Sequence, residues 1–224
     1  MQRVRAQILS GDRGTLSAID REEQMRIRTA ADRDLETIAG WLALPRIAKW
    51  LDFGTERPPT ALALKYAIAQ GSMRLFMFSP TDAEGVASIG VVGLSSIHPR
   101  FRTALLWYAL GEPRFAGQGL TGKAAAEVVR VGFQELDLRA INAWVVDGNA
   151  ASVRILENIG FHRIGRQRQC HRIEGRRRDR LLFDMVSSEF ARRRGRSRIL
   201  ALAHDASLSF GGVEGAILAG VPWG

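Results

Sequence analysis

The chain has one cysteine, Cys170, in 224 residues, so no internal disulfide can form and a disulfide framework is excluded. Its four histidines (His98, His162, His171 and His204) are scattered, no metal-ligand spacing appears, and no metal is expected. No stretch approaches the roughly 18 consecutive apolar residues that a membrane span needs. The start, "MQRVRAQILSGDRG", carries charges but no apolar block of signal-peptide length, and the expected compartment is the cytoplasm. Acidic residues are in short supply: 23 Asp and Glu against 32 Lys and Arg leave a formal net charge of +9.

That excess raises nucleic acid, a membrane surface or an acidic ligand as partners. Much of it sits late, in "GRQRQCHRIEGRRRDR" (165 to 180) and "ARRRGRSR" (191 to 198). Neither run interleaves aromatics for base stacking or matches a nucleic-acid module, so a solvated basic face is the plainer account and a nucleic-acid partner is not expected. A polyphosphate-bearing cofactor would benefit from the same field. What is plentiful is apolar: 46% hydrophobic with 25% charged residues describes a globular chain able to bury a core.

Periodicity sets the order of elements. "MRIRTA" (25 to 30) alternates like a strand and runs into "ADRDLETIAGWLALP", where Asp32 can cap a helix that stops before Pro45. A second helical piece, 58 to 71, ends at Gly71. Three strand-like runs follow at 73 to 79, 85 to 97 and 103 to 111, and their tight connections predict an antiparallel meander. From Gly119 to about Leu136 the apolar positions Ala124, Val128, Val131 and Leu136 fall near helical spacing. A strand at 140 to 146, a helix at 149 to 160 and a closing pair of strands complete a mixed α/β, or α+β, outline that is not an alternating doubly wound domain.

Two motifs lie inside that outline. "PRFAGQGLTGKAA" (113 to 125) places Gly117 and Gly119 at a strand-to-helix junction, where amides can turn toward one point and the helix adds its positive end. A pyrophosphate would suit it. It matches neither GxxxxGK[ST] nor a GxGxxG in a parallel crossover, and by itself a plain tight turn explains it as well. "NAASVRILENIGF" (149 to 161) puts Asn149 at a helix cap, Ser152 in the first turn and Gly160 at the stop.

With "MRIRTAADRDLETI" and the closing "IEGRRRDRLLFDM", these stretches make the chain resemble the GNAT superfamily of acyl-CoA-dependent N-acetyltransferases, in particular the ribosomal-protein alanine acetyltransferase branch called RimJ and RimL. The likeness covers about residues 25 to 190. It rests on Arg28 and Asp34, on Arg114, Gly117 and Gly119 after Pro113, on Asn149, Ser152, Gly160 and Phe161, and on Gly175 and Asp179, in that order.

The resemblance implies a GNAT fold, a central mostly antiparallel sheet splayed near its middle and flanked by helices, with the thioester between the strands "TALLWYALG" and "AINAWVV". It implies acetyl-CoA or another acyl-CoA as co-substrate, the pyrophosphate held by Arg114, Gly117, Gln118, Gly119, Leu120 and Thr121, with Lys123 adding charge. Asn149 would contact the pantetheine arm, and Ser152 would sit near the sulfur and protonate the leaving thiolate.

Direct attack needs an amine stripped of its proton, an oxyanion donor and a route for the thiolate. Tyr108, Glu112 and Asp147 are the candidate bases or water-holders, though strand-end residues facing solvent fit them equally. His98 reads as a turn residue. Ala104 and Ala109 would leave room for a longer acyl chain if they face the cleft. The expected partner is an amine acceptor, a peptide or protein N-terminus or an amine-bearing small molecule, with a homodimer possible in principle. Arg163, Arg166, Arg168, Arg172 and Arg176 to Arg178 suggest an acidic acceptor or the CoA 3′-phosphate, against the plainer solvated face.

The expected domain spans 24 to 190, between an N-terminal extension (1 to 23) and a tail (191 to 224), basic at first and then apolar and glycine-rich. Three readings follow: an acetyltransferase, a transferase of longer acyl groups, or a non-catalytic acyl-CoA-binding or nucleic-acid-associated module.

Overall fold

In the computed structural model, which describes residues 25–55, 57–81 and 88–192, Met25–Thr29 forms the first strand, β1. The expected N-terminal extension, and all of the expected tail but its first two residues, lie outside the described residues. A 3-10 turn, Asp32–Asp34, leads into α1 (Leu35–Ala43), α2 (Pro45–Ala48) and α3 (Ala61–Ala69). Then come the meander β2 (Arg74–Pro80), β3 (Gly90–His98) and β4 (Thr103–Leu110), and the alternation α4 (Leu120–Gln134), β5 (Ala140–Val146), α5 (Ala150–Ile159). The hairpin β6 (His162–Ile173) and β7 (Arg176–Val186) closes the domain.

The sheet runs β1-β2-β3-β4-β5-β7-β6. All neighbours are antiparallel except β4 and β5, which are parallel and pair only at Thr103 with Ala140, Ala104 with Ile141 and Leu105 with Asn142. Beyond Leu105, β4 continues on β3 and β5 continues on β7, so the sheet opens between two strands that each keep one partner.

Both faces of the middle strands are covered, which is why "RLFMF" and "GVVGL" read as continuous apolar runs and not as alternation. On one face Phe76, Phe78, Val92, Leu94 and Leu106 meet Ala124, Val128 and Phe133 of α4. On the other, Leu75, Met77, Val91 and Trp107 meet Leu35, Ile38 and Leu42 of α1 and Leu64 of α3. Each such aliphatic or aromatic side chain taken from water contributes about 1.5–3 kcal/mol.

One sequence expectation is corrected at the first helix. Asp32 does not cap it; the 3-10 turn puts Asp34 at the start of α1, and its carboxylate bonds no helix amide but accepts from the Ala31 N–H at 2.7 Å and from both Arg28 Nη groups at 2.6 and 2.8 Å. Asp32 is instead paired on the surface with Lys65. The strand expected at 85 begins at Gly90, and residues 82–87 lie outside the described residues.

Candidate active site

The loop before α4 is built for an anion. Gly117 and Gly119 adopt φ of +77° and +75°, the left-handed region, and a Cβ on either would have nothing within 4 Å, so open space stands before the turn. Among the described residues the N–H groups of residues 117 to 122 make no backbone hydrogen bond; the first of the helix ladder runs from Lys123 N–H to the Gly119 carbonyl at 3.1 Å. Unpaired amides at the N-terminus of a 15-residue helix are what a phosphate group seeks.

Gly117, Gly119, Leu120, Thr121 and Lys123 line a groove of about 1150 Å³ between α4 and α5. Arg154 faces it from α5; sequence reasoning passed over this residue, the one cation in "AASVRILENI". Arg114 and Gln118 do not line the groove: the Gln118 amide donates to the Arg114 carbonyl at 3.3 Å, and the Arg114 guanidinium lies over the Phe115 ring. They brace the loop from outside it.

A second cavity, a cleft of about 560 Å³, occupies the splay between β4 and β5 and is lined by Leu105 to Tyr108, Ala143 to Val146, Asn149, Ser152 and Leu156. Ala151 and Ser152, adjacent on α5, face groove and cleft respectively, as do Leu110 and Tyr108 on β4. The Asn149 side chain accepts from the Ser152 N–H at 3.2 Å, which fixes the first turn of α5. Across the cleft, the Tyr108 hydroxyl donates to the Ser152 carbonyl at 3.1 Å. Burial pushes the Tyr108 phenol up to about 12, the hydrogen bond to Ser152 opposing this in part. With its proton held that tightly, Tyr108 is protonated at neutral pH and stands in the cleft as a hydrogen-bond donor, which suits the water-holding alternative better than the base.

The other candidate bases do not line either cavity. Glu112 precedes the 3-10 turn Pro113–Phe115 without a side-chain bond to it, and the Asp147 carboxylate is paired with Arg166, which also reaches Asp179 at 2.7 Å. His98 accepts from the Phe101 N–H at 3.3 Å and stacks on its ring, the turn role expected of it. Ala104 and Ala109 are corrected: they are buried in the two opposite cores and give the cleft no extra room.

The far end of the cleft is closed by Trp50, Leu51, Asp52 and Phe53, which follow α2 and were not singled out from the sequence. Phe53 meets the Trp107 ring edge-on, with centroids 5.2 Å apart. Trp107 in turn lies flat against Gly93, where any Cβ would come within 2.3 Å of the indole.

The model of the acetyltransferase (GNAT) domain matches residues 24–162 of this sequence. The chain belongs to the GNAT acetyltransferase family. It is similar to an uncharacterized N-acetyltransferase, p20, of Bacillus licheniformis, 23% identical over 75% of this chain and 96% of that one. It is likewise similar to YdaF of Bacillus subtilis (strain 168), assigned by name to the ribosomal N-acetyltransferases, 24% identical over 75% and 94%. The solved structure of a spermidine N-acetyltransferase from Vibrio cholerae in complex with CoA and spermine superposes with a TM-score of 0.66, covering 75% of this chain and 98% of that one at 22% identity.

As a GNAT enzyme the chain transfers an acyl group from acyl-CoA to an amine, and its splayed sheet matches the fold expected from the sequence. The donor set fits the co-substrate: a pyrophosphate needs several N–H donors and positive charge in an open concavity, and residues 117 to 122, Lys123 and Arg154 supply them. Among the described residues no helix is long and apolar enough to cross a membrane.

Proposed function

We propose that this GNAT enzyme transfers an acetyl group from acetyl-CoA to a primary amine by direct attack, at the cleft between β4 and β5. The observation that carries the reading is how the two cavities adjoin: unpaired amides at the start of α4 and the edge of β4 that β5 leaves open beyond Leu105 lead to a cleft with three hydroxyl-bearing residues, Ser95, Tyr108 and Ser152. Bound acetyl-CoA supplies an activated thioester, and no enzyme nucleophile is needed.

Residues 117 to 122 hold the pyrophosphate through backbone N–H groups, with Lys123 and Arg154 adding charge. Asn149 orients the pantetheine arm. Tyr108, protonated at neutral pH, and the Ser152 hydroxyl hydrogen-bond the leaving sulfur, which takes up through ordered water the proton that the attacking amine releases. The pKa of a peptide N-terminal amine, about 8, leaves a fraction neutral at pH 7, so ordered water can take its proton without a side-chain base. Buried Ala104 and Ala109 favour acetyl over a longer acyl group.

Thiol release from acetyl-CoA, followed with a panel of peptide, amino-acid and polyamine acceptors, tests this directly. Amine-dependent release with acetyl-CoA at least as fast as with octanoyl-CoA is expected. Preference for the longer donor, or release without any amine, overturns the reading.

A further inference from the structure

Among the residues that line the cleft, Asp52 is the one carboxylate, and its charge is already matched. It is paired with Arg180 and accepts from the Gly54 N–H at 2.8 Å, and the Arg180 guanidinium beside it holds its carboxyl below the usual range. Arg180 lies 4.1 Å from the centroid of the Trp144 ring and donates to His171 Nδ1 at 3.1 Å. His171 Nε2 lies 2.8 Å from the Lys49 carbonyl, which can only accept, so the ring hydrogen is on Nε2 and Nδ1 offers its lone pair to Arg180. This network clamps the 49–54 loop onto β5, β6 and β7, and it leaves the cleft with no spare negative charge.

The rim carries the opposite sign. Residues two apart on a strand share a face, so Arg176 and Arg178 stand on the same face of β7 as Arg180, the face covered by the 49–54 loop. The register agrees, pairing Arg178 with His171 and Arg176 with Ile173. Both arginines are exposed, and among the described residues neither has a carboxylate partner. Lys49, exposed beside Trp50, adds a third cation. At about 3.3 Å per residue, Arg178 lies about 7 Å and Arg176 about 13 Å beyond Arg180. An extended peptide rises by the same amount, so side chains two to four residues past an acceptor amine come level with them. These distances fall near one Debye length, where fields of unmatched charge still act.

We infer that the acceptor side of the cleft selects an amine carried on an acidic peptide segment and rejects polyamines, with Arg176 and Arg178 as specificity-determining residues. The inference rests on the acyl-transfer reading of the same cleft. A protonated polyamine brings several positive charges to a rim where, among the described residues, Arg176, Arg178 and Lys49 have no carboxylate partner and the one carboxylate lining the cleft is already paired. An acidic segment brings the complement.

The test compares kcat/KM at saturating acetyl-CoA for three peptides of one length, with acidic, neutral or basic residues at positions two to five, and for spermidine. Acidic over basic by about tenfold or more is expected at low salt, shrinking at high salt. The double variant Arg176→Glu, Arg178→Glu inverts the order, while calorimetry with acetyl-CoA reports that it is folded. Equal or better turnover of the basic peptide or spermidine by the native chain, or an order untouched by charge reversal in a variant that still binds acetyl-CoA, overturns the inference alone. No thiol release with any amine overturns the acyl-transfer reading as well.

Discussion

The two ends of the cleft are made of different materials. At the α4 end, the proposed recognition rests mainly on the backbone: consecutive amides and two left-handed glycines, contiguous in sequence, to which Lys123 and Arg154 add charge. At the far end it is a property of side chains from α2's exit, β4, β5, β6 and β7, brought together only by folding. A backbone site suits a ligand that never changes, the co-substrate. A side-chain site can be rewritten for each acceptor without disturbing the first.

The largest expected effect strikes the backbone end. Gly117→Glu forces a φ of +77° on a residue with a Cβ, a cost of about 1–2 kcal/mol, and sets a carboxylate against the pyrophosphate. Acetyl-CoA affinity by calorimetry is expected to fall at least about a hundredfold, with each tenfold worth about 1.4 kcal/mol. Unchanged affinity would remove the loop from the site. Next comes the junction of the two ends. Tyr108→Phe deletes the hydrogen bond proposed to stabilise the leaving thiolate and is expected to lower kcat by on the order of a hundredfold, with Ser152→Ala lowering it about tenfold. If the Tyr108 hydroxyl only ties β4 to α5, the loss appears instead as about 1 kcal/mol of stability with kcat intact.

The same division explains what could be read in advance. The bounds of α4 and α5 followed the apolar periodicity closely, because each buries one face: Leu120, Ala124 and Val128 on the first, Leu156 on the second. The loop proposed to hold the co-substrate drew notice because glycines at a strand-to-helix junction leave a local mark, and the structure gives both a left-handed φ. Arg154 left a weaker one, a lone cation on α5 whose direction depends on packing against α4. The acceptor end left none: His171, Arg180 and Asp52 are up to 128 positions apart and meet only through the β6–β7 register and the chain path after Pro45. Asp32 was misread for a related reason: "ADRD" offers two aspartates, and the 3-10 turn inserted before α1 puts the second of them, not the first, at the start of the helix.

A smaller effect should isolate the acceptor end. Asp52→Asn removes the charge that Arg180 is paired with and loosens the clamp on the 49–54 loop. Acceptor KM is expected to rise about three- to tenfold, the size of one ordinary hydrogen bond, because the loop is loosened and no acceptor contact is deleted, while acetyl-CoA affinity stays within twofold. Equal damage to both would mean that the two ends are not independent. Gly93→Ala probes the same end through packing. Its Cβ would collide with the Trp107 indole, so a stability loss of about 1–3 kcal/mol and a raised acceptor KM are expected together in denaturation and steady-state measurements.

The smallest effect on activity is expected where neither end is touched. Arg28 and Asp34 join β1 to α1, and hydrogen bonding to the guanidinium, helped by the Ala31 N–H, holds the Asp34 carboxyl at about 2 against an ordinary 3.8. Because the folded value lies below the unfolded one, the stabilisation is fully present above about pH 4 and fades as pH falls through 4 toward 2. Asp34→Asn should therefore cost about 1–2 kcal/mol in urea at pH 7, with the difference from the native chain narrowing steadily on acidification below pH 4. Both KM values at pH 7 should be unmoved, because the pair sits at the first strand and lines neither cavity. A stability difference that stays constant down to pH 2 would show that Asp34 acts through shape and not through its charge.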